Sequence, residues 1–204
     1  MPVMTPTHAP ARLHDGTGVA LRALEPSDRD GLAAALDALS PESRRMRFLG
    51  PVPHVGPALL RHLTEVDQHD HVVIVAEHAG QIVGDVRYVR LRTEPRTAEM
   101  AFFVGDAFQR RGLGRLLVLT AAALARADGI DTLTFTVAAD NLASRALLAQ
   151  LGVRFAWSDG VLEGRLATSE AARPVGARVE DLRRGLNNLR RGLNDLRAAP
   201  TEAA

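Results

Sequence analysis

Between Val104 and Leu117 the chain leaves an apolar run, passes through Gln109-Arg110-Arg111-Gly112-Leu113-Gly114, and at once enters a long apolar stretch of helical period. This order constrains the fold more than any other feature. A strand that hands over directly to a helix exposes the helix's first backbone N–H groups, which together carry about half a positive charge. Missing β-carbons at Gly112 and Gly114 let an anion approach those amides, and Arg110, Arg111 and Arg115 add charge beside them. The residues predict a diphosphate cradle. Two other phosphate loops do not fit. A Walker loop requires Gly-Lys-Ser/Thr and the chain has no lysine, while the dinucleotide fingerprint expects a third glycine where Leu117 stands.

Periodicity fills in an α/β domain around that junction. Residues 19–24 read as a first strand, and Pro26-Ser27-Asp28-Arg29-Asp30 as a helix start capped by Ser27, with Leu32, Ala35, Leu36 and Leu39 on one face. Ser40-Pro41 starts a second short helix and residues 57–65 a third. Residues 71–77, 82–89 and 98–104 follow as strands, then a helix over 113–128 ended by Gly129. Residues 132–137 alternate as a strand, 141–150 form a helix, and Ser158-Asp159-Gly160 joins a hairpin of 153–157 and 161–166. The predicted class is α/β with a mixed sheet and helices on both faces.

Flanking segments read differently. Residues 1–16 are aperiodic and predict a mobile leader, with no basic-then-apolar signal pattern. The main domain is expected over 17–168, then 169–204 as a linker around Arg173-Pro174 and an amphipathic helix. That helix repeats Arg-Arg-Gly-Leu-Asn-Asn/Asp-Leu, with Val175, Val179, Leu182, Leu186, Leu189, Leu193 and Leu196 along one seam. A seam this short needs support: self-association into a homo-oligomer, its own domain, or another partner.

Composition narrows the chemistry. A net charge of +1 gives no global field toward nucleic acid or an anionic membrane, so any anion site is local. The absence of cysteine excludes disulfides, thiolate metal sites and a cysteine acyl-enzyme. No run approaches the about 20 apolar residues of a membrane span, and a cytoplasmic location is expected. His62, His69, Asp70, His71 and His78 are close in sequence but do not share one ligand face, so no metal site is predicted.

Gln109-x-x-Gly112-x-Gly114 after a strand, with Asp140-Asn141 opening a helix that ends at Leu151-Gly152-Val153, resembles the GNAT superfamily of N-acetyltransferases. Leu39-Ser40-Pro41-Glu42-Ser43 with Arg47-Phe48, Ile82-Val83-Gly84 with Arg87-Tyr88, and residues 98–102 are similar to the bacterial Pat-type protein-lysine acetyltransferases. The resemblance implies a GNAT fold, a mostly antiparallel sheet flanked by helices, with acetyl-CoA as co-substrate. It implies backbone hydrogen bonds from Phe103 and Val104 to the pantetheine arm, with the Val104 N–H on the thioester carbonyl. Gln109, Arg110, Arg111, Gly112, Leu113, Gly114 and Arg115 would hold the pyrophosphate, and Asn141 and Arg145 the outer part of the cofactor. For Asn141 a plain helix cap is the alternative.

The acceptor amine must lose a proton before it attacks. For a lysine of pKa about 10.4 that costs roughly 4.6 kcal/mol at pH 7, at about 1.36 per unit. Glu99, a carboxylate in an otherwise apolar strand, is the candidate base, and burial would raise its pKa. The alternative is a Glu that simply faces solvent. Where many GNAT enzymes place a tyrosine general acid the chain has Ala146-Leu147-Leu148, and its sole tyrosine is Tyr88, so the acid is unassigned. Three functions follow: transfer to a protein lysine, transfer to a small amine or amino acid, or a non-catalytic acyl-CoA-binding subunit whose C-terminal helix docks a partner.

Overall fold

The computed structural model describes residues 8–171. The expected C-terminal heptad helix and the Arg173-Pro174 linker lie outside the described residues. Within them the strands are β1 (Ala9–Arg12), β2 (Gly18–Ala23), β3 (His71–His78), β4 (Gln81–Arg90), β5 (Thr97–Val104), β6 (Thr132–Ala138), β7 (Arg154–Ser158) and β8 (Val161–Ala167). The helices are α1 (Arg29–Asp37), α2 (Pro41–Phe48), α3 (Pro57–Thr64), α4 (Leu113–Ala127), α5 (Leu142–Gln150) and α6 (Thr168–Ala171). The strands form one sheet in the order β1-β2-β3-β4-β5-β6-β8-β7. Only β5 and β6 run parallel, and every other neighbour is antiparallel.

Two expectations about the ends need correction. The segment 1–16 was expected as a mobile leader, yet Ala9–Arg12 pairs antiparallel with β2 and Leu13 is buried. Alternation of small residues around Pro10 hid a strand that tolerates proline because it lies at the sheet edge. At the other end the linker was expected from residue 169, but the short α6 packs against the core. There Ala171 is buried and the Thr168 hydroxyl donates to the Ile130 carbonyl at 3.0 Å.

Each face of the sheet carries its own core. Alternation along β3–β5 sends Ile74, Val86, Tyr88, Ala98 and Met100 toward α4, where Leu113, Leu117, Val118, Ala121 and Leu124 meet them. The other face sends Val73, Val75 and Phe103 toward α1–α3, against Leu32, Leu36, Leu60 and Leu63. Each such side chain contributes about 1.5–3 kcal/mol by leaving water.

Local chemistry sets the entry into α1. Ser27 does not cap it. Instead the Glu25 N–H donates to Asp28 Oδ2 at 2.7 Å, and Asp28 is gripped by both terminal nitrogens of the buried Arg22 at 2.6 and 2.8 Å. Arg22 Nε also reaches Glu77 at 3.0 Å. The Asp28 hydrogen bonds, then Glu77, hold the guanidinium firmly charged against the cost of burial.

Gly84 lets α4 lie close on β4. A β-carbon there would stand 2.9 Å from the Phe103 carbonyl oxygen and 3.3 Å from a Leu117 methyl. Gly84→Ala should therefore destabilise by about 1–3 kcal/mol, lowering the urea midpoint at constant slope. Gly18, with nothing within 4 Å of the added carbon, is the control, and Gly18→Ala should stay within about 0.5 kcal/mol. Equal midpoints for both variants would refute this account of the α4 contact.

Candidate active site

Strands β5 and β6 pair only at Thr97↔Thr132, Ala98↔Leu133 and Glu99↔Thr134. Beyond Glu99 they part, although β5 stays paired to β4 as far as Val104 and β6 stays paired to β8 as far as Ala138. The result is a cleft in mid-sheet whose walls are main chain. Hydrogen bonds Leu91 N–H to Thr97 O and Gly105 N–H to Val83 O fix the parity of the β4–β5 ladder. The bonded pairs between them are Val89↔Glu99, Arg87↔Ala101 and Asp85↔Phe103. Backbone groups of Met100, Phe102 and Val104 therefore face the cleft.

That parity corrects one expectation. Phe103 was expected to bond a pantetheine arm through its backbone, but its amide and carbonyl belong to Asp85 and its side chain is buried against α1–α3. Phe102 and Val104 hold the cleft-facing positions. The alternation was visible in the sequence, but not which parity the ladder would adopt.

At the end of β5 the chain turns through a 3-10 segment at Asp106–Phe108 and reaches α4. Arg110 and Gly112 both adopt positive φ, 58° and 92°, and no side chain caps α4. The first-turn amides of this 15-residue helix are thus presented without a protein side chain on them. Arg110 is exposed and Arg115 half-buried. Arg111 pairs with Asp15 at 3.2 Å and lies over the Phe108 ring at 5.5 Å. Leu113 is fully buried, so it can offer only its backbone. Gly114 packs its α-carbon close to Leu147 and Val104, where a β-carbon would sit 3.1 and 3.6 Å away. Cleft and cradle suit an extended ligand with amides at one end and a diphosphate at the other.

Gln109 is placed differently from a free phosphate ligand. Its side-chain amide donates to Asp106 Oδ1 at 3.0 Å, Ser43 Oγ at 3.1 Å and the Val104 carbonyl at 3.2 Å. Asp106 also accepts from the Ser40 N–H at 2.6 Å and from the Ser43 hydroxyl. Burial pushes the Asp106 carboxyl up, but the bonds from Ser43, Ser40 and Gln109 outweigh it and hold the group below its ordinary range. From the same helix, Arg45 reaches Asp140 at 2.6 Å, at the far end of β6. Helix α2 therefore ties together both lips of the cleft. Ser40 and Ser43 were legible only as a cap, and indeed Ser40 Oγ accepts from the Ser43 N–H at 3.2 Å. Their tertiary partner 63–66 residues away had no local signal.

Asn141 and Arg145 sit at the start of α5. Asn141 caps the helix, accepting from the Ser144 N–H at 3.0 Å, while Arg145 donates to the Ala139 carbonyl at 2.6 Å. Tyr88 is far from a proton-donating role in the cleft, since it lies in the α4-side core with its hydroxyl on Asp128 at 2.7 Å, just past the C-terminal end of α4.

On the other face, register aligns Arg87 and Asp85 of β4 with Glu99, Ala101 and Phe103 of β5 and with Thr134 of β6. Glu99 is exposed at the fork where the strands part, and the burial expected for it is not seen. Thr134, Thr136, Glu163 and Arg165 continue an open polar surface beside it. Beneath, Asp85 and Arg87 form a buried ion pair, and Arg87 also donates to the Leu63 carbonyl at 3.1 Å. Neighbouring His71 is pushed down to about 4 by burial, then by Arg87 and His62.

A model of the acetyltransferase (GNAT) family matches residues 36–153. Acetyltransferase Pat of Mycolicibacterium smegmatis is 34% identical over 148 residues, covering 72% of this chain, which spans 44% of that relative's length. Acetyltransferase PA5475 of Pseudomonas aeruginosa is 33% identical over 144 residues, 69% of this chain and 77% of the relative. The GNAT domain of S. lividans PAT superposes with a TM-score of 0.75 at 27% identity, covering 82% of this chain and 99% of that domain.

Two measurements check this geometry. Asp106→Ala removes the exposed bonds from Ser40, Ser43 and Gln109, and should cost about 0.5–1.5 kcal/mol in urea unfolding; no measurable loss would dismiss the tie. His71 refuses below pH 6.5 a proton that the unfolded chain accepts, so stability falls as pH drops from 6.5 toward about 4. His71→Asn should flatten that part of the Tm–pH curve, and an unchanged slope would contradict the assignment.

Proposed function

Because the chain belongs to the acetyltransferase (GNAT) family, we propose that it moves an acetyl group from acetyl-CoA to the ε-amine of a protein lysine, by direct attack in a ternary complex. The observation that carries this reading is the main-chain cleft running into the uncapped start of α4. It fits a pantetheine arm lying between β5 and β6, bonded to the backbone of Phe102 and Val104, with the pyrophosphate on the amides of 111–115. Preorganised N–H donors of this kind, aimed where charge develops on a carbonyl oxygen, are often the largest catalytic contribution.

Glu99 is the proposed base. It stands at the fork, at the last β5–β6 pair, open to solvent on the face away from α4. There it would take the proton as the amine nitrogen bonds to the acetyl carbon and the carbon–sulfur bond breaks. The departing thiolate, of pKa about 8.5 as a free thiol, can take its proton from water, which is consistent with Tyr88 being engaged elsewhere. Asn141 and Arg145 are proposed to border the adenosine end, one as cap and one as clamp of the preceding loop.

Protein lysine is preferred over a small amine because the surface around Glu99 is open, with Thr134, Thr136, Glu163 and Arg165 along it, and because the relatives include Pat. Glu99→Gln should lower turnover at least about tenfold with acetyl-CoA affinity unchanged. Undiminished turnover would remove Glu99 from the mechanism. Radiolabelled acetyl-CoA offered to lysate proteins and to a panel of small amines should label protein; label confined to small amines would favour the second acceptor class. Bound acetyl-CoA with no label in either would leave only a binding subunit.

A further inference from the structure

The hairpin turn joining β1 to β2 lies against the cradle. The His14 N–H donates to the Arg111 carbonyl at 2.9 Å, and Arg111 is paired with Asp15 of the same turn at 3.2 Å. The imidazole rests on Gly112 itself. A β-carbon at 112 would meet Nε2, Cε1 and Cδ2 of His14 at 2.6, 2.8 and 2.9 Å. Gly112 therefore lacks a side chain for two reasons, its φ of 92° and the ring that occupies the place.

The turn is built to hold that ring in position. Leu13 is buried in the α4-side core, its N–H donates to the Thr17 carbonyl at 2.9 Å, and the Thr17 N–H donates to Asp15 Oδ1 at 3.0 Å. Arg12 closes it by donating to the Gly16 carbonyl at 3.0 Å. These bonds fix the backbone of the turn and so set the exposed ring against the N-cap of α4.

We propose that His14 is a cofactor-binding residue, donating from its imidazole to a phosphate of coenzyme A. This rests on the acetyl-CoA reading above. The charged groups around it are Arg12 and Asp15 on the hairpin, Arg110, Arg111 and Arg115 on the loop and first turn of α4, and His78 of β3, whose ring lies 5.3 Å from Phe108. Asp15 is committed to Arg111 and to the Thr17 N–H, so it does not compete for the imidazole.

Calorimetry on the full chain tests it, with wild type, His14→Ala and His14→Gln titrated with coenzyme A and with dephospho-coenzyme A. Coenzyme A affinity of His14→Ala should drop about fivefold against wild type with Tm unchanged, and His14→Gln, which keeps a donor, should lose less. The same losses with dephospho-coenzyme A assign the contact to the pyrophosphate, and losses confined to coenzyme A assign it to the 3′-phosphate. Wild-type affinity in His14→Ala overturns the proposal, as does a loss accompanied by a fallen Tm, which would make His14 a prop for the loop. A wild type that binds no coenzyme A refutes the cofactor reading itself, a result separable from either.

Discussion

Everything functional in this molecule depends on β5 and β6 ceasing to pair after three residues. A parallel ladder that ran to Val104 would satisfy the main chain of Phe102 and Val104 and leave no cleft. Each strand keeps its outer partner beyond the fork, β5 with β4 as far as Val104 and β6 with β8 as far as Ala138, and α4 leaves the end of β5 with Leu113 and Leu117 seated over Gly84. Unfulfilled backbone groups are costly inside a protein, so a split of this kind persists only where a ligand or water completes it.

The second constraint is electrostatic and follows from the first. The opening exposes the start of α4, with its partial positive charge and three arginines close by. The protein fixes one of them, Arg111, by Asp15 and by the Phe108 ring, and ties the loop before it through Asp106 to Ser40 and Ser43 of α2. Helix α2 then crosses to Asp140 through Arg45. One short helix thereby joins the two lips of the cleft, and it cannot shift without disturbing both.

Much of this was legible in the residues. The glycine loop, the strand-to-helix handover and the order of elements follow from local pattern, because a phosphate cradle is a local structure and amphipathic periods are short. Ladder parity was not legible, so Phe103 was named where Phe102 and Val104 face the cleft. Nor was the role of the first segment: Ala9–Arg12 has too few large apolar residues to signal a strand, and its order comes from pairing with β2 and from Leu13. Ser27 was read as the cap of α1, whereas Asp28 takes the Glu25 N–H and the Arg22 guanidinium across the turn from β2. Errors fell where pairing between elements overrides local preference.

Arginine in place of lysine has a chemical consequence at this site. All 25 basic residues are arginine, and the cluster around the cradle and beneath Glu99 is built from guanidinium groups. An ammonium group beside a bound thioester can lose its proton and become an acceptor, whereas a guanidinium stays charged at every pH a protein encounters and does not attack. The cations that would hold acetyl-CoA are thus inert to it. Arginine's fixed fork also suits the paired geometry seen at Asp28, where two nitrogens meet one carboxylate. With no side-chain amine of its own, the chain holds no lysine that could intercept the acyl group, in keeping with the transfer proposed above to a separate amine.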